Sequence, residues 1–249
     1  MLTLFIIFIL GLLIGSFLNV VIFRMNELHT IILTRSHCQE CKKEIAWYDL
    51  IPFLSFIILK TKCRYCDKPI SWQYPLVEVG TAILSVLIYW KFGNHLYTYF
   101  LLATTYFLIV IFVYDLKKYL IPDEMLYPAI IIAIIYRAFD SPLNFKMTLL
   151  GVLIAVGFLG IIYLLGKGKW MGFGDVKLAI LLGLVTPFPL VIITIFLAFL
   201  IGSVVGLIMV SLKQKKLKSE VPFAPFLIIG LYLSIFFGEK IISWYFGIV

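Results

Sequence analysis

The sequence predicts an all-α polytopic membrane protein of about eight transmembrane helices, with a cytoplasmic zinc-ribbon-like insert between the first two. Three observations carry this. The 249-residue chain is 63% hydrophobic with a mean hydropathy of +1.08, against roughly 45–50% apolar residues in soluble domains. Runs of about 20 apolar residues recur along it, each long enough to cross a ~30 Å hydrocarbon core as a helix, and no stretch alternates like an outer-membrane barrel strand. Two Cys-x-x-Cys pairs fall together in the one long polar segment.

The first span covers about residues 2–23. No basic residue precedes its apolar run, and Arg24 follows it, which is the reverse of a signal peptide. A retained helix with its amino terminus outside is expected. Residues 25–74 form the polar insert, broken by one apolar patch, LIPFLSFIIL at residues 50–59. Ten residues with a proline near the start are too few to span, so an interfacial or re-entrant segment is expected.

Pro75 should open the second span, with Glu78 in its first turn, and a third span ends in Asp115. In YDLKKYLIPDE, residues 114–124, Pro122 interrupts the helix and Asp123 is suited to cap the next one, predicted over about residues 125–139. A fifth span covers about residues 147–166. Past the glycines of GFGDVK, residues 172–177, a short sixth span begins at Val176 and meets Pro187 and Pro189. A seventh leads to the basic run at Lys213–Lys218, and an eighth follows from about Pro225. The domain organisation expected is a first helix (1–24), a tetracysteine insert (25–74) and a membrane-embedded core (75–249).

The net charge of +8 does not point to nucleic acid, because most Lys and Arg flank apolar runs and there set orientation. In the eight-span arrangement 17 of the 21 lie on one side. The exceptions are Lys91, Arg137, Lys146 and Lys240. The positive-inside rule makes the basic side cytoplasmic, and it places Asp115 and Asp175 at that same face.

Cys38, Cys41, Cys63 and Cys66 are two pairs separated by 21 residues, close to a zinc-ribbon pattern. Each pair offers two thiolates from one tight turn, and thiols on the cytoplasmic side stay reduced. Four thiolates leave no open coordination position, so Zn2+ bound here is structural. Metal binding would either fold a basic insert able to grip a substrate or only tie down a long loop.

An ionisable group within or beside a span is costly and is a functional candidate by default. Asp115 follows ATTYFLIVIFVY with no polar loop between, and Asp175 follows Gly172 and Gly174, which permit unusual backbone angles or close approach of a partner chain. Two acids within a few Å can work as base and acid on water, their titrations belonging to the pair. Both could instead be interfacial caps, and pattern alone leaves open which would be the base. Glu78 could meet a substrate amine or rest at the interface. The three histidines form no HExxH, and GxSxG, Walker and GxGxxG motifs are absent.

These residues in this order resemble the type 4 prepilin peptidases, the leader peptidases of bacterial pilin, competence and type II secretion systems. The likeness includes GSFLNVVIFR (15–24), the tetracysteine insert, YPLVEVGTA (74–82), YDLKKYLIPDE (114–124) and GFGDVK (172–177). It implies a GxGD membrane aspartyl protease with catalytic Asp115 and Asp175, in motifs that also contain Glu78, Pro122, Asp123, Gly172, Gly174 and Lys177. It implies prepilin or pseudopilin substrates cut after a glycine at the cytoplasmic face of the bacterial cytoplasmic membrane. It also implies methylation of the new amino terminus with S-adenosylmethionine, as many relatives perform. PFAPF at residues 222–226 departs from the family at Ala224, where a glycine is usual, and is expected to touch neither acid. The rival classes are a proton-coupled transporter, which would need a relay of acids across the bilayer, and a non-catalytic scaffold of pilus assembly.

Overall fold

The computed structural model describes residues 1–27, 35–139, 142–212 and 221–247; the basic run at Lys213–Lys218 lies outside the described residues. Among the described residues there are helices and two isolated β-bridges but no strand. By contacts the chain divides into two units, Met1–Val110 and Ile111–Val249.

The first unit contains α1 (Leu2–Phe23), the insert with the five-residue α2 (Leu54–Ile58), α3 (Gln73–Phe92) and most of α4 (Leu96–Lys118). Helices α1 and α3 pack along a seam of small residues. A Cβ on Gly11 would lie 2.6 Å from the Cα of Ala82, and one on Gly15 would lie 2.7 Å from that of Glu78. Gly11 and Gly15 are four apart, the small-xxx-small spacing that lets two backbones meet inside a bilayer. At the end of this seam Asn19 donates to the carbonyl oxygen of Tyr74, and Gln73 donates to Asn19.

The second unit contains the end of α4, then α5 (Asp123–Ala138), α6 (Pro142–Leu165), α7 (Phe173–Val185), α8 (Leu190–Ser211) and α9 (Ala224–Phe246). Here α7 packs on α6 and α5, and α8 packs on α9. The same device recurs: Cβ atoms on Gly183 and Gly230 would meet the backbone of Val152 at 2.5 Å and of Thr194 at 2.4 Å. Helix α7 is the core element, with Leu178, Ala179, Leu181 and Leu182 wholly buried.

Among the described residues, eight helices stand where eight spans were expected. Six of them, α1, α3, α4, α6, α8 and α9, are long and apolar enough to cross a membrane. The others, α5 and α7, have 16 and 13 residues; at 1.5 Å per residue α7 is only about 20 Å long. Its end is buried, which is the physical problem Arg137 solves. This arginine is 7% exposed, and it donates from Nε to the carbonyl of Leu184 (2.8 Å) and from Nη2 to that of Val185 (3.1 Å). It satisfies carbonyls that a helix leaves orphaned at its carboxyl terminus.

The element starts differ in detail from expectation. Helix α3 begins at Gln73, which puts Glu78 in the second turn, and α7 begins at Phe173, which puts Asp175 inside the helix rather than before it. The N-cap of α5 is Pro122. Asp123 is therefore the first helical residue, and its carboxylate makes an ion pair with Lys177 instead of capping. The apolar patch does not span: residues 47–50 form a 3-10 turn, followed by α2.

Candidate active site

Asp115 sits in the last turn of α4 and Asp175 in the first turn of α7. Both are buried, at 4% and 7% exposure, and they lie near enough for the charge of Asp115 to be felt at Asp175. The carboxylate of Asp175 accepts the amide N–H of Gly172, the N-cap of α7. That of Asp115 accepts the amide N–H of Ala224, the first residue of α9. The expectation that residues 222–226 touch neither acid is thus corrected: Ala224 is fully buried and its amide, an orphan donor of a helix start, ends on Asp115.

Neither glycine of the motif works through its backbone angle, and size constrains Gly174 alone. Gly172 has φ −73, and the glycines with positive φ are Gly93, Gly168 and Gly247, so neither Gly172 nor Gly174 adopts a left-handed conformation. A Cβ on Gly174 would press on the side chain of Ile121 at 3.2 Å. Gly172 has more room and is exposed, with Asp175 Oδ2 the nearest atom to such a Cβ at 3.7 Å. Pro122 is buried in the turn that carries Ile121.

Glu78 lies in the first unit, 6% exposed, where it accepts the amide N–H of Phe53 (2.8 Å) and a hydrogen bond from Ser16. Phe53 has φ +61 and is the N-cap residue of α2, so the carboxylate holds a positive-φ residue of the insert against the α1–α3 seam.

The four cysteines converge. Their sulfurs lie within 4.8 Å of one another, Cys38 and Cys66 at 3.9 Å. Tetrahedral coordination with Zn–S bonds of about 2.3 Å needs sulfurs about 3.8 Å apart, so the set fits a metal. The two halves are a repeat that spacing alone did not disclose. Cys38 donates its N–H to the Lys43 carbonyl, Lys42 to that of Cys38, and Ile45 to that of Ser36; 25 residues later Cys63, Asp67 and Ile70 repeat the pattern with Lys68, Cys63 and Thr61. Lys42 and Asp67 share a positive φ, at 59° and 56°. The thiols differ in acidity. Burial pushes Cys38 up, but the amides of Cys41 and Glu40 and two neighbouring thiols pull it down to about 7. The Lys68 amide pulls Cys66 down, while burial and the other three thiols push it up to about 12.

Comparison with known proteins accounts for both units. Residues 9–92 match the family model described as Bacterial Peptidase A24 N-terminal domain, and residues 102–207 match the Type IV leader peptidase family. A protein of Pseudomonas aeruginosa named Prepilin leader peptidase/N-methyltransferase is 30% identical, over 95% of this chain and 91% of its own. The chain belongs to the type IV leader peptidase family. Relatives with the same name in Pseudomonas putida and Xanthomonas campestris are 30% and 31% identical over 94% and 95% of this chain and 90% and 92% of theirs. No solved structure matches. Family membership and the six long apolar helices make this a multi-pass membrane peptidase.

Proposed function

We propose that the chain is a prepilin leader peptidase in which Asp115 and Asp175 are the catalytic pair. The observation that carries this is the presence of two buried carboxyls, from the end of α4 and the start of α7, in one unit and within electrostatic reach of each other. Leaving two acids in an apolar protein is costly unless they have work to do. One carboxylate takes a proton from water as it attacks the carbonyl of the substrate glycine, whose bond to the next residue breaks. The other gives a proton to the departing amine, and no covalent enzyme intermediate forms. The amides of Ala224 and Gly172 hold the two carboxyls in place. The site opens at the cytoplasmic face of the bacterial cytoplasmic membrane, where the basic leader of a prepilin or pseudopilin meets its hydrophobic helix; the distribution of Lys and Arg supports this side.

Cys38, Cys41, Cys63 and Cys66 hold a structural Zn2+, which when bound ties the two knuckles of the insert together. Methylation of the new amino terminus, with S-adenosylmethionine as donor, is supported by the relatives' shared name. The test is co-expression with a prepilin and mass spectrometry of the product, which reports cleavage and methylation together. The native chain should yield the shortened pilin, whereas Asp115→Asn and Asp175→Asn, each keeping the side-chain shape, should leave it uncut. Either variant, well expressed and cleaving at the normal rate, overturns the assignment.

A further inference from the structure

The turn between α4 and α5 is anchored twice to the first turns of α7. It leaves α4 four residues after Asp115, where the N–H of Tyr119 donates to the Asp115 carbonyl and Tyr119 takes a positive φ of 57°. Ile121 then lies against Gly174, where even a Cβ would crowd it at 3.2 Å. Two residues on, Asp123 pairs with Lys177. The Lys177 ammonium also stands 5.8 Å from the ring centre of Tyr127 and 5.9 Å from that of Phe173, enclosed enough to be only 22% exposed. Ile121 and Asp123 flank the rigid Pro122, and Gly174 and Lys177 flank Asp175. The segment leaving one acid is therefore clamped around the segment bearing the other.

We propose that Asp123 and Lys177 are positioning residues of the peptidase: their ion pair clamps the α4–α5 turn onto the start of α7 and so sets the separation of Asp115 and Asp175. This rests on the catalytic reading of those two acids. A half-exposed pair of this kind adds little to folding. Its effect is geometric, and a misplacement of about 1 Å between reacting groups can cost about a hundredfold in rate.

The experiment measures kcat, KM and the pH–rate profile of prepilin cleavage by the full chain in membranes. The variants are Asp123→Asn, Lys177→Met, and the double exchange Asp123→Lys with Lys177→Asp, each normalised to folded protein. Each single variant should lower kcat by about 10- to 100-fold with KM nearly unchanged. Each should also displace the pH profile, because the spacing of the acids governs their coupled titration. The exchange should recover at least about tenfold in kcat over the worse single variant. Unchanged kcat, a rise in KM alone, or an exchange no better than the product of its singles would overturn the clamp. If a single variant fails to fold, Lys177→Arg, which keeps the charge, decides: a native pH profile supports the clamp, and loss of folding there as well refutes a positioning role. Asp115→Asn is run alongside. If it cleaves normally the catalytic reading falls, whereas an inactive Asp115→Asn beside fully active clamp variants refutes the clamp alone.

Discussion

Arg137 illustrates how a single polar side chain is accommodated in an apolar protein. Counting charges places it among the exceptions at the outer face, yet it is buried and saturates the end of α7. Removing it strands two buried carbonyls, each costing about 1–3 kcal/mol if left unmade. Arg137→Met should therefore lower the thermal midpoint of the purified chain in detergent by several degrees; an unchanged midpoint would show that those carbonyls find other partners. Ala224 makes the complementary point. Only its backbone reaches Asp115, so Ala224→Gly should preserve cleavage to within a few-fold, measured with the same prepilin. A larger side chain at this fully buried position, as in Ala224→Leu, should displace the amide and cut kcat by at least tenfold, since overpacking shifts backbone.

Among the elements, long helices were legible because hydropathy is a local property: six of the predicted spans are long apolar helices. Helix starts were less so. Pro75 marks a helix in α3 but not its first residue, and Asp123 forgoes capping because Lys177 offers it a charged partner. Neither competition is visible in a short window of sequence. Close helix pairs give a sharp contrast to test. Gly11→Val pushes into the backbone of α3 at 2.6 Å and should lower the yield of folded protein and its thermal midpoint. Gly157→Ala, in α6 with nothing within 4 Å, should leave stability unchanged or raise it by about 0.5–1 kcal/mol, the helix preference of Ala over Gly. A destabilised Gly157→Ala together with a native-like Gly11→Val would show that these glycines do not govern packing.

For the whole molecule, each unit carries a distinct chemistry: the sulfur cluster and Glu78 belong to the first, the paired acids to the second. The metal prediction belongs at this scale because a metal joins segments 25 residues apart into one folded insert. Elemental analysis of the purified chain should find about one zinc per chain, removed by a strong chelator and absent from Cys63→Ser. Chelation should expose the insert to protease while the acids in the second unit keep their burial; a chain that never contains metal would refute the site.

By itself the sequence determined what short-range chemistry dictates: a helical membrane protein, knuckles that gather thiols, and two acids too costly to be placed in apolar surroundings without a task. Only the tertiary structure decided how those acids are held. The Ala224 amide, the Ile121 contact with Gly174 and the Asp123–Lys177 pair join residues far apart in the chain, 54 positions in the last case. Such contacts depend on which helices meet, and that is settled by steric fit along seams of small residues rather than by the composition of either helix alone.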